Sequence, residues 1–77
     1  MTFLIKKNNN WASLLINDTL HLLLNTTKLV GVQSWKYKEE FTIEFYFDTY
    51  SFISVYQEEG IWSGILNLIN TNLFTIS

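Results

Sequence analysis

His21 is the only histidine of the chain and sits in a leucine-rich run, LHLLL, with no second metal-binding side chain at a compatible spacing nearby. A general base or metal ligand there would need distant partners, so the residue reads as a solvent-facing or edge strand position. Glu39–Glu40 and Glu58–Glu59 are adjacent carboxylate pairs, with Glu44 and Asp48 close by. Two carboxylates divide acid and base roles only where burial separates their pKa values. Pairs in turns are ordinarily solvated. Glu44 stands out because it lies mid-strand among aromatics, and Lys36 is its expected cross-strand partner. None of Ser13, Ser34, Ser51, Ser54 and Ser63 falls in a G-x-S-x-G elbow, and Gly31, Gly60 and Gly64 are too scattered for a phosphate loop. A non-catalytic protein is expected, without cofactor or metal.

Composition points elsewhere. The 77 residues are 48% hydrophobic and 17% aromatic, but only 16% charged, against roughly 25% in ordinary soluble domains. A chain of this size buries only about 60% of its unfolded surface, so its core must be thin. One domain spanning 1–77 is expected, with more apolar side chain than it can hide. Cysteine is absent, which removes disulfides and thiolate chemistry. Small domains without such staples often gain stability by oligomerising.

Five lysines, no arginine and a net charge of −2 do not suit a phosphate-tracking surface. The apolar run at residues 2–5 is too short for a signal-peptide core, with Lys6 and Lys7 on its wrong side, and no window is long enough to span a bilayer. A cytoplasmic protein is expected. The absence of arginine and proline beside many Asn, Ile and Lys points to an AT-rich coding sequence, bacterial or phage.

Elements come next. Residues 11–24, WASLLINDTLHLLL, place leucines all round a helical wheel, leaving no single face to bury. Asn17-Asp18-Thr19 interrupts them with turn formers. Two strands, 13–16 and 20–24, are therefore preferred, the alternative being a helix over 11–24 before a three-stranded sheet. LVGVQSWKY (29–37) reads as a strand, and Lys38-Glu39-Glu40 as a turn. In FTIEFYF, Phe41, Ile43, Phe45 and Phe47 share one face, Thr42, Glu44 and Tyr46 the other. Asp48-Thr49-Tyr50 is expected to turn the chain into a strand over 52–57, with Ile53 and Val55 on one face and Phe52, Ser54 and Tyr56 on the opposite one.

Glu58 and Glu59 then lead an amphipathic helix over 59–70, with Ile61, Trp62, Ile65, Leu66, Leu68 and Ile69 on one side. Gly64 inside it reads either as a close approach to another backbone or as a simply tolerated glycine, and 71–77 as a tail or short strand. The sum is an α+β fold: an antiparallel β-meander of four or five strands with one C-terminal helix packed on one face.

Aromatics enrich and charges deplete interface cores. The expected function is a small protein-protein interaction or adaptor domain, a homodimer or a binder of another protein. Its surface would be an aromatic sheet face or edge formed by Trp35, Tyr37, Tyr46, Phe52 and Tyr56. Two alternatives use the same material. Stacking of single-stranded nucleic acid on those rings is disfavoured by the acidic charge, and a small molecule could occupy an apolar pocket between sheet and helix.

Overall fold

A computed structural model describes residues 2–69. The expected tail at 71–77 lies outside them. Six strands precede one helix: β1 (Phe3–Asn8), β2 (Trp11–Ile16), β3 (Thr19–Asn25), β4 (Leu29–Tyr37), β5 (Glu40–Phe47), β6 (Ser51–Tyr56) and α1 (Glu59–Ile69). The fold is α+β and antiparallel, as the alternation implied. It differs in having six strands in two sheets, β1-β2-β3 and β4-β5-β6.

The division has a local cause. After β3 the chain enters a 3-10 turn, Thr26–Lys28, instead of a tight hairpin. The Asn25 side chain accepts from the Thr27 N–H at 3.0 Å, and the Thr26 N–H and hydroxyl both donate to the Asn10 carbonyl. This clamp holds the link against the first hairpin, and β4 starts a new sheet. The extra strand is β1, whose FLIKKN is too polar toward its end to read as a strand. It pairs with β2 from Phe3↔Ile16 to Asn8↔Trp11.

Residues 11–24 are strands, so the helical alternative is excluded. Asn17 and Asp18 form a two-residue turn with φ of 50° and 66°, both positive as a type I′ hairpin requires. Asn17 also ties down the chain start: its N–H donates to the Thr2 carbonyl, and its side-chain oxygen accepts from the Thr2 N–H. Asp18 makes no such tie and carries the left-handed penalty of an L-residue. Asp18→Gly is accordingly expected to stabilise the domain by about 1 kcal/mol, read as a thermal midpoint higher by about 4 to 8 °C. An unchanged or lower midpoint would contradict that view of the turn.

The core is filled from three sides. Sheet one contributes Ala12, Leu14, Leu22 and Leu24, sheet two Leu29, Val32, Ile43 and Phe45, and the helix the i, i+4, i+8 stripe Ile61, Ile65 and Ile69. Helix α1 rests on β1 through its glycines. A Cβ on Gly64 would stand 2.6 Å from Ile5 Cδ1, and one on Gly60 3.4 Å from the Phe3 ring. Gly64 thus makes room for a close approach, by the Ile5 side chain and not by another backbone. Across the other sheet, the Trp62 indole N–H donates to the Thr42 carbonyl at 3.1 Å, and the Trp62 ring lies 5.3 Å from that of Phe41.

Candidate interaction surfaces

The five aromatics expected to form one surface are divided between two faces. Strand β5 pairs with β6 as Phe41↔Tyr56, Phe45↔Phe52 and Tyr46↔Ser51. Directly opposed residues share a face. Phe52 and Tyr56 therefore point inward with Phe41 and Phe45, while Tyr46 points outward with Trp35 and Tyr37 of β4, which oppose Thr42 and Glu40. The reason is the length of one turn. A three-residue turn at 48–50 would have set Tyr46 opposite Phe52. The actual turn has two residues, closed by a 2.8 Å bond from the Phe47 N–H to the Tyr50 carbonyl. One residue of register moves a strand's side chains to the other face.

Phe52 stacks on Phe45 at 5.0 Å and on Phe47 at 6.0 Å, and Phe47 stacks on Tyr50 at 4.7 Å. These rings, with Trp11, Leu23, Leu24, Asn25 and Lys28, line an open cleft of about 320 Å³ that takes in residues from both faces of β3.

Burial pushes the Tyr56 phenol above its ordinary 10.0, opposed by the nearby Ser54 hydroxyl, which makes no hydrogen bond of good geometry. The neutral form is thus favoured in the fold. The stability that it contributes is complete below pH 10.0 and is lost as pH rises through the higher folded value. Urea midpoints at about pH 8 and about pH 11 should show a smaller alkaline loss in Tyr56→Phe than in the wild type; equal losses would contradict this.

Outside sheet two, the Tyr46 hydroxyl donates to Glu44 Oε1 at 2.7 Å. That bond, and the charge behind it, hold the phenol above its usual range. Glu44 does not face Lys36. Gln33 and Ile53 oppose it, while Lys36 faces Phe41 with its ammonium 5.3 Å from the ring. His21 is exposed, at the point where β3 shifts register against β2. Among the described residues no group of three or more His, Cys, Asp or Glu side chains could hold a metal, and no helix is long and apolar enough to cross a membrane.

The surface that sequence reasoning missed is the outer face of sheet one. Leu4, Leu15 and Leu20 form one cross-strand row, Lys6, Ser13 and Leu23 another, and Asn8, Trp11 and Asn25 a third. Leu4, Leu20 and Leu23 are 53–54% exposed and Trp11 47%. No carboxylate interrupts these rows. Contiguous exposed apolar surface, once it exceeds a few hundred Å², marks interaction sites. The signal was present in residues 11–24: leucines all round a helical wheel are, in strands, leucines on both faces of a sheet.

No protein-family model, curated protein or solved structure matches the chain.

Proposed function

We propose that the protein is a small, non-catalytic, cytoplasmic interaction domain that self-associates through the outer face of sheet one. The observation that carries this reading is the row of exposed Leu4 and Leu20 with half-buried Leu15 between them, followed by exposed Leu23 in the next outward row and exposed Trp11 in the one after, on a face without carboxylates. Two further observations support a second copy as the occupant. A two-fold axis makes a patch meet itself, and an apolar patch does so without like-charge repulsion at its centre. Lys6 lies in the middle outward row, at its β1 end, and Asp18 in the turn beyond the Leu4 row, so a copy reversed along the strands about an axis at the Leu4 row sets each near its opposite charge. Edge-to-edge pairing through β1 is opposed by the adjacent Lys6 and Lys7.

Light scattering after size-exclusion chromatography tests the reading. The expected mass is twice 9.1 kDa across a dilution series. A mass of 9.1 kDa at the highest concentration would overturn it.

The cleft supports a second reading, a small-molecule site. Its stacked rings suit a flat apolar ligand, and Lys28 suits an anionic group on it.

A further inference from the structure

The two sheets have four edge strands: β1, β3, β4 and β6. Exposed edges are normally protected by charge, bulges or cover. β1 carries Lys6 and Lys7 and is packed by α1 through Gly60 and Gly64. β3 is broken by the register shift at His21, and β4 by a shift between Leu29 and Gly31 that leaves Val30 out of the pairing. Among the described residues β6 has no such device. Its sequence SFISVY contains neither charge nor proline, and its register against β5 runs without interruption. Its outward side chains, Ile53 and Val55, are more than half exposed.

Charge identifies the partner. Five lysines and a single carboxylate, Asp18, fall within residues 1–38, whereas six carboxylates and no lysine follow. β6 lies in the acidic part: Asp48 is in the turn before it, Glu58 and Glu59 follow it, and Glu44 opposes Ile53 from β5. An acidic, unprotected edge suits an extended segment whose outward positions are basic.

We infer that β6 is a strand-addition site for a basic, extended peptide segment of another protein. Main-chain hydrogen bonds to the side of β6 left unpaired among the described residues supply affinity, the partner's apolar side chains pack inward beside Phe52, Ser54 and Tyr56, and its lysines or arginines, outward with Ile53 and Val55, meet the carboxylates. This site is separate from the leucine face of sheet one and does not depend on it.

The probe is the synthetic peptide acetyl-KVKIKVK-amide, titrated into the isotope-labelled wild-type protein and followed by amide NMR. Expected are shifts concentrated at residues 51–56, binding that weakens as salt rises, and a loss of about tenfold or more when the central isoleucine is replaced by proline. The glutamate counterpart, acetyl-EVEIEVE-amide, should leave the spectrum unchanged, and Ile53→Lys should weaken binding of the lysine peptide without altering the fold. Shifts confined to other strands, equal binding of the proline peptide, or no shifts at low salt would each overturn the inference. So would peptide binding that falls as protein concentration rises, because β6 would then pair with a second copy. The solution mass decides the self-association reading independently of all these outcomes.

Discussion

Phe45→Ala is expected to leave the chain without a cooperatively folded state at room temperature. Phe45 is fully buried at the middle of β5, stacked on Phe52 and surrounded by side chains of both sheets and the helix. Truncating a buried phenylalanine costs about 3 to 5 kcal/mol, through lost transfer energy and the cavity left behind. Whole domains are stable by about 5 to 15 kcal/mol, and one of this size lies toward the lower end. The loss therefore approaches the entire margin. Near-ultraviolet circular dichroism should collapse and the urea transition should broaden or vanish. A sharp transition within about 1 kcal/mol of the wild type would show that the two sheets do not share one core around Phe45.

Leu20→Lys carries the second large effect, on association. Leu20 lies in the row with Leu15 and Leu4, and a lysine there presents a charge to the apolar centre of the proposed interface. Its stem can lie along neighbouring leucines in the monomer, so the fold should persist. In the dimer both copies would bury an ammonium without a partner, and the dissociation constant should rise by about 100-fold or more. Ile53→Lys is the matched control: a similar exposure and the same chemistry, on the outer face of the other sheet. Analytical ultracentrifugation should find Leu20→Lys monomeric where wild type and Ile53→Lys remain dimeric. Equal behaviour of the two variants would remove the assignment to sheet one.

Strict alternation made β5 legible in FTIEFYF, and a single apolar side did the same for the helix, described over Glu59–Ile69. These segments have one face to bury, and a single period describes them. Residues 11–24 lack that simplicity. Leu14, Leu22 and Leu24 go inward while Leu15, Leu20 and Leu23 stay outside, and a register shift at His21 interrupts the alternation. β1 was illegible for a different reason: only Ile5 is half-buried, and its cover is a glycine of a helix more than fifty residues later. The grouping of Tyr46 with Phe52 and Tyr56 failed on one residue of turn length. Alternation tells which residues share a face within a strand; the turn determines which faces meet across strands.

The proposed dimer is tested most directly by isotope-filtered NOE spectroscopy on a mixture of 13C-labelled and unlabelled protein. The expected result is a set of intermolecular contacts from the methyls of Leu4, Leu15, Leu20 and Leu23, with none from Ile53 or Val55. A dimer whose intermolecular contacts arise from Ile53 and Val55 while these leucines stay silent, or a sample with no intermolecular contacts at all, would contradict it.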